Sequence, residues 1–309
     1  MLTVIKPGLQ ATLQGAPRIG YRHFGLPYSG PADELSMALA NRLVGNAPDA
    51  TCLEITYGGF EAEATLACSI AITGAHDQIH VSRTPIAAHA TLNLKAGDVV
   101  SISPPLNGVR TYLAVHSGFE APSVFNSTST YIPAGLGGIS GRALRSGDTL
   151  HAVGTPRTVD TLETPHHFRP VYSRAFALRA CASAETTLLT KHDRALLFTE
   201  SFSAGRQATR MGIALTGHEL NPRSDGMMKS APVFPGTIQC PPSGVPVVLL
   251  CDAQTTGGYP RIASIARCDR HQLGQIRPGD QIQLLERTPE AALRDFAEKQ
   301  ALLAEWLDA

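Results

Sequence analysis

Apolar residues recur along this chain in short alternating or β-branched runs, such as ACSIAITGA, QIHVSR, ATLNL, DVVSISP, TYLAVHSG, PVVLLCD and QIQLLE. Glycine and proline punctuate them, with 28 Gly and 22 Pro in the chain. Strands of this length with turn signals between them describe β-sandwiches or barrels, so the expected fold class is mostly β with a few helices. Three segments echo one another: LKAGDVVSI (Leu94–Ile102), LRSGDTLHA (Leu144–Ala152) and IRPGDQIQL (Ile276–Leu284). In each, Gly-Asp is predicted to form a tight turn that feeds a strand. The third copy lies near the end of the chain, far from the other two, which predicts two β domains. The expected division is a β domain over residues 1–155, a proline-bearing linker over 156–170, a second β domain over 171–287 and a C-terminal helix over 288–309.

Two helices interrupt the β pattern. SGPADELSMALANRLVGN places Leu35, Leu39 and Leu43 on one face with Ala38 and Val44. Ser29 or Asp33 lies near its start, and Gly45 stops it. TPEAALRDFAEKQALLAEWLDA offers Thr288 as N-cap, Pro289 at the first helical position, and a stripe of Leu293, Phe296, Gln300, Leu303 and Leu307. That stripe is expected to dock on the chain's own barrel, with contact to a partner protein as the alternative.

Charge narrows the classes of partner. Across 309 residues, Lys+Arg 26 balances Asp+Glu 26, leaving no basic surplus for nucleic acid or an anionic membrane. The longest apolar runs are too short to span a bilayer, and the N-terminus lacks the pattern of an export signal, so a cytoplasmic protein is expected. The six cysteines include no C-x-x-C pair and several lie in apolar runs. They read as buried, reduced thiols.

Common catalytic signatures do not occur: no phosphate-loop motif, no G-x-S-x-G elbow, and a GLGGISG segment (Gly135–Gly141) that misses the dinucleotide fingerprint. His76 and His80 share a face with Asp77 between them, but spacing nominates no third ligand, so no metal site is expected. His166 and His167 are expected to meet solvent. DGMMKS (Asp225–Ser230) lacks the paired methionines of a biotin-carrying hairpin, and Lys229 reads as a surface lysine. What remains is a set of four glycine-, hydroxyl- and arginine-bearing loops: PYSGPAD (Pro27–Asp33), NSTSTYIPAGLGGISGR (Asn126–Arg142), ATRMG (Ala208–Gly212) and DAQTTGGYPR (Asp252–Arg261). Such loops supply backbone N–H groups, hydroxyls and guanidinium forks able to hold a carboxylate, carbamoyl or phosphoryl oxygen.

Taken in order, SGPADELSMALANRLVGN, LEITYGGFEAEA, ITGA, GVRTYLAVHSG, the STSTY–GG–GR–GD series, TRMG, PGTIQCPPSGVPVVLLCDAQTTGGYPRIA and QIRPGDQIQ cover nearly the whole chain. This series resembles the biotin-dependent carboxyltransferase or allophanate hydrolase subunit 2 family. QTTGGYP is its most specific motif. The resemblance implies two cyclophilin-like β-barrel domains. It also implies an assembly with two further proteins, a smaller KipI-like B component and a LamB/YcsF-like A component, that opens the lactam of 5-oxoproline to glutamate with ATP. ATP would be used by the complex, and biotin would not be attached to this chain. The chain departs from the family at Pro31-Ala32, where Ala-Met is usual, and at Ala208-Thr209, where Ser-Asp precedes the arginine.

Opening a lactam calls for donors aimed at a developing oxyanion. The candidate catalytic residues are Arg210, Asp252, Thr255, Thr256 and Arg261; the candidate substrate-binding residues are Ser29, Gly30, Asp33, Gln254, Gly257, Gly258 and Tyr259. The expected function is that of the C component of an ATP-dependent 5-oxoprolinase, part of a hydrolase and inactive alone. Two alternatives stay open: the carboxyltransferase half of a biotin-dependent urea or amide carboxylase, and a non-catalytic regulator of a sensor kinase system.

Overall fold

A computed structural model describes residues 1–223 and 228–308. Short strands are the commonest regular element, and the chain divides into two compact units. The first comprises residues 1–19, 29–172 and 304–309; the second comprises 20–28 and 173–303.

The first unit carries β1 (Leu2–Pro7), β2 (Gln10–Gln14), α1 (Glu34–Leu43), β3 (Cys52–Thr56), β4 (Phe60–Ala64), β5 (Cys68–Gly74), β6 (Ile79–Val81), β7 (Thr84–Ile86), β8 (Thr91–Leu94), β9 (Val99–Ile102), β10 (Arg110–Val115) and β11 (Thr149–Leu150). These form a six-stranded sheet in the order β11-β1-β4-β9-β6-β7 and a five-stranded sheet in the order β2-β3-β10-β5-β8. Inward-facing Leu13, Leu53, Ile55, Phe60, Ile70, Ile72 and Leu113 fill one core from both sheets. A second cluster forms where Met37, Ala40, Leu43 and Val44 of the α1 segment meet Cys52, Ala71, Tyr112 and Ala114. Asp33 caps α1, its carboxylate accepting from the Ser36 N–H, and the chain turns at Gly45 with φ 72°. The segment 157–164 lies along this unit: Ser69 N–H donates to the Arg157 carbonyl, and Thr91 N–H donates to that of Leu162.

The second unit holds β12 (Ala175–Ala182), α2 (Lys191–Thr199), β13 (Ser201–Ala204), β14 (Gly212–Thr216), β15 (Ala231–Pro232), β16 (Thr237–Gln239), β17 (Val247–Leu249), β18 (Thr256–Gly257), β19 (Arg261–Ile265), β20 (Gln281–Arg287) and, as far as Leu303, α3 (Pro289–Leu307). Seven of these strands close a barrel in the order β12-β19-β16-β17-β14-β13-β20, with β12 and β20 parallel. Leu178, Phe202, Leu215, Ile238, Ile262 and Leu284 fill its interior. β15 and β18 form a separate two-stranded ribbon.

The Gly-Asp echo has one geometry at all three sites. Gly97, Gly147 and Gly279 take φ of 88°, 88° and 83°, which L side chains rarely adopt. Each following Asp donates its N–H to the carbonyl three residues back, at 3.1, 3.1 and 3.0 Å. Its carboxylate accepts the N–H of that same residue, Lys95, Arg145 or Arg277, at 2.8, 2.7 and 2.8 Å. Each turn opens onto a strand: β9, β11 or β20.

The C-terminal helix starts as expected, with Ala291 N–H donating to Thr288 Oγ1 at 3.2 Å, but its covered face differs from the expected stripe. Leu293 is 70% exposed, and Gln300 is exposed too. The half-buried positions are Ala291, Ala292, Asp295, Phe296, Lys299, Leu303, Ala304, Trp306 and Leu307, which keep Phe296, Leu303 and Leu307 of the expected stripe but follow a 3.6-residue period rather than the heptad spacing read from Leu293. Polar contacts account for the shift: Asp295 meets Arg179 and Arg287, Lys299 donates to the Cys268 carbonyl, and Arg267 lies over the Phe296 ring. No helix among the described residues is long and apolar enough to cross a membrane.

Candidate functional site

The stretch DAQTTGGYPR leaves β17 through a turn and enters β19 by way of the ribbon. Ala231 pairs with Gly257 and Pro232 with Thr256, so part of the motif is strand. Two arginine–carboxylate pairs fix its ends. At the first, Arg210 Nε donates to Asp252 Oδ2 at 2.7 Å and Arg210 Nη2 to Oδ1 at 3.1 Å. Both side chains are more than nine-tenths buried, and Asp252 N–H also donates to the Arg210 carbonyl at 2.9 Å. The loops ATRMG and DAQTT are therefore joined through side chain and backbone together. At the other end, Arg261 makes a two-point contact with Glu185, its Nε donating to Oε2 at 2.7 Å. The hydrogen bonds from Arg261 hold the Glu185 carboxyl below its usual range, and the same contact raises the Arg261 guanidinium.

Between these anchors the side chains divide. Thr255 is buried, and its carbonyl accepts from the Val233 N–H at 3.1 Å and from Arg22 at 3.2 Å. The Arg22 guanidinium lies over the rings of Tyr28 and Phe234, 4.7 and 4.8 Å from their centroids, and burial lowers its pKa. Thr256 and Gln254 are exposed, and Tyr259 is 42% exposed. The Gln239 amide supports them from below, accepting from Gln254 Nε2 at 3.1 Å and donating to the Tyr259 carbonyl at 3.3 Å. A Cβ on Gly257 would stand 2.5 Å from that same amide, and one on Gly258 would stand 3.0 Å from the Met228 carbonyl. The double glycine is thus required by close approach. The exposed row of amide, hydroxyl and phenol groups can donate to a carbonyl or oxyanion; the Arg210 and Arg261 guanidiniums already serve carboxylates, and Arg22 serves backbone carbonyls.

Ser29, Gly30 and Asp33 belong to the first unit. Ser29 and Gly30 take positive φ of 51° and 79°. Ser29 Oγ is buried with no hydrogen-bond partner among the described residues. Asp33 is fully buried in a polar network. Its Oδ1 accepts from Ser36 N–H, its Oδ2 from Ser36 Oγ and from the Tyr172 hydroxyl at 2.9 Å, and its own N–H donates to the Tyr112 hydroxyl. Tyr112 in turn donates to Glu54 Oε2 at 2.6 Å, and Glu54 pairs with Arg110 at 3.3 Å. Burial, reinforced by the neighbouring carboxylates, raises the Tyr112 hydroxyl well above its usual pKa.

The sequence motifs contain Glu54, Arg110 and Tyr112 within LEITYGGF and GVRTYLAVHSG without marking them as partners of Asp33. Glu185 and Gln239 in the second unit and Tyr172 in the first carry no local signal, because each meets its partners only through long-range contacts. His76 Nδ1 bonds the Gly74 carbonyl and its ring stands 6.0 Å from that of His89, and no group of three or more His, Cys, Asp or Glu able to hold a metal occurs among the described residues. His166 and His167 are exposed. All six cysteines are free. Within DGMMKS, Asp225, Gly226 and Met227 lie outside the described residues, as does Ala309 of the expected helix; Lys229 is exposed.

A family model described as the carboxyltransferase domain, subdomain A and B, matches residues 24–286. The chain is 34% identical over 300 residues to the C subunit of 5-oxoprolinase from Escherichia coli, covering 97% of this chain and 96% of that one. Against the C subunit of 5-oxoprolinase from Haemophilus influenzae it is 31% identical, covering 91% and 90%. Among solved structures it superimposes on the urea amidolyase of K. lactis with a TM-score of 0.93 and 25% identity, spanning 99% of this chain but 20% of that much longer one. By the extent of these matches, the chain belongs to the carboxyltransferase domain, subdomain A and B, family.

Proposed function

We propose that this chain is the C component of an ATP-dependent 5-oxoprolinase and helps to open the lactam of 5-oxoproline to glutamate in a complex with a LamB/YcsF-like A component and a KipI-like B component. The observation that carries this reading is the similarity to the C subunit of 5-oxoprolinase over almost the full length of both chains. ATP is consumed by the complex, no biotin is attached to this chain, and the protein works in the cytoplasm.

In this reading the ribbon presents the reacting face. Gln254, Thr256, Tyr259 and the Gly257–Gly258 amides supply donors to the lactam or acyl oxygen, where developing negative charge rewards pre-placed N–H and O–H groups. Arg210, Asp252, Thr255 and Arg261 act as positioning residues. The two ion pairs and the Thr255 carbonyl fix the loop from which the donors project, so that little ordering remains when substrate arrives. Within the first unit, Ser29, Gly30 and Asp33 are the proposed substrate-binding residues.

A second reading is favoured by the superposition on urea amidolyase: a carboxyltransferase half that passes a carboxyl group from biotin on another protein to a small amide. Donors that stabilise a lactam oxyanion would equally stabilise the enolate-like oxygen of a departing ureido ring. One assay separates them. The reconstituted complex is given 5-oxoproline and ATP, with and without excess avidin, and glutamate is measured. Avidin-insensitive glutamate formation supports the first reading; turnover of urea or a related amide that avidin abolishes supports the second.

A further inference from the structure

The Asp33 network continues into a group of side chains that neither the motifs nor the proposed roles absorb. His89 is 4% exposed, sits at φ 61°, and its Nδ1 has no hydrogen-bond partner among the described residues. A histidine held in the left-handed region at a cost of about 1 kcal/mol or more, with a buried ring nitrogen unsatisfied, is a costly arrangement for a residue that only packs. Thr164 is fully buried, and its Oγ1 is likewise unpartnered among the described residues. These two residues are neighbours, since Thr164 N–H donates to the His89 carbonyl at 2.9 Å.

The pair is tied to Asp33 from two sides. His89 N–H donates to the carbonyl of Ile72, and the next residue, Thr73, donates its hydroxyl to the carbonyl of Ser36 in the first turn of α1. On the other side the chain runs from Thr164 through Arg169, whose Nε donates to the Thr164 carbonyl at 2.7 Å, to Tyr172 on Asp33. His89 feels the charges of His76, Arg169 and Asp33, and burial first of all pushes its pKa down to about 3. The ring is therefore neutral at physiological pH, with one nitrogen donating and the other accepting. The nearby Arg169 guanidinium is already paired with Glu163.

We infer that His89 and Thr164, beside Asp33 and Tyr172 in the first unit, form a binding site for the uncharged amide edge of a small molecule, its N–H and C=O together. An imidazole and a hydroxyl, each able to donate or accept, match that edge. The inference rests on the reading of Asp33 as a substrate-binding residue. A lactam, urea and the ureido ring of biotin all present this chemistry, and the test distinguishes them.

The full chain, labelled with 15N-histidine, is titrated with 5-oxoproline, urea and biotin amide. The His89 ring signals are identified by their loss in His89→Gln. Acetate and N-methylpyrrolidone, which lack the neutral N–H and C=O pair, serve as controls. The expected result is a saturable shift of the His89 signals with at least one amide and none with the controls. His89→Gln and Thr164→Val should each weaken that binding about tenfold, the size of one lost hydrogen bond in a buried site. In the three-component complex the same variants should raise KM for 5-oxoproline about tenfold with kcat changed less, while their thermal transitions stay within a few degrees of the parent. Glutamate formation by the parent complex with His89 signals unmoved by every amide would overturn the site and leave the oxoprolinase reading standing. Signals that answer only to biotin amide or urea, with no glutamate formed, would uphold the site and overturn that reading. Silence in both overturns both, as a site filled only by buried water requires.

Discussion

Replacing Asp252 with alanine isolates the mechanical role assigned to the ion pair beneath the ribbon. Arg210 and Asp252 have side-chain exposures of 9% and 7%, and the guanidinium donates at 2.7 and 3.1 Å. Removing the carboxylate strips two charged hydrogen bonds from a cation that cannot shed its proton, for which breaking a buried pair costs about 3–5 kcal/mol. Removing the pair as a unit, in Arg210→Met with Asp252→Leu, deletes both charges, so the double variant should lose much less than Asp252→Ala. The assay is urea denaturation followed by far-UV circular dichroism, with amide exchange at Leu250 and Asp252 as the local probe, since their N–H groups donate to Met211 and Arg210. Those amides should exchange faster in Asp252→Ala and recover in the double variant. A single variant within about 1 kcal/mol of the parent, against the magnitude above, would refute the claim that the pair holds the two loops together.

Four further outcomes follow from the same contacts. Glu185 has a depressed carboxyl because Arg261 donates to it, so its contribution to stability is complete above the unfolded carboxylate pKa, about 4, and is lost as pH falls through the lower folded value; Glu185→Gln should flatten the acid limb of stability against pH. Gly257→Ala would place a Cβ 2.5 Å from the Gln239 amide, and should cost about 1 kcal/mol in denaturant melts while detaching Gln239 from Gln254 and Tyr259, seen as lost activity out of proportion to stability. The chain's one tryptophan, Trp306, lies under Arg42, whose Cζ is 5.1 Å from the ring and whose Nε donates to its carbonyl at 2.9 Å; Arg42→Ala should shift its fluorescence to the red, and an unchanged spectrum would contradict that docking. Burial raises the thiols of Cys52, Cys68, Cys240 and Cys268 and also that of Cys181, so exposure decides the order, and a thiol reagent on the native protein should reach the half-buried Cys181 and Cys251 first.

Local chemistry made much of the fold readable. The Gly-Asp turns announce themselves because the glycine supplies a positive φ and the aspartate closes the turn on a residue only three positions away. Asp33 as the cap of α1, Gly45 as its stop and Thr288 at the start of α3 are equally local. The face of α3 was not legible from leucine spacing, because its seat is set by Asp295, Phe296 and Lys299 meeting Arg179, Arg267 and Cys268 from distant segments. The same limit applies to the site. QTTGGYP could be singled out from its glycines, whereas the partners that fix it, Glu185 and Gln239, lie 76 and 15–20 positions away and look ordinary in their own surroundings. Arg210 and Arg261 read from sequence as donors for an oxyanion; the structure pairs each with a carboxylate, and it is on those pairs that their proposed positioning role rests.

If this chain is a necessary part of a lactam-opening complex, as proposed, leaving it out must abolish turnover. Candidate LamB/YcsF-like and KipI-like proteins are combined with and without this chain, and 5-oxoproline-dependent ATP hydrolysis is measured alongside glutamate. Coupled turnover is expected with all three chains and its loss when this chain alone is left out; turnover unchanged by that omission would overturn the proposed function.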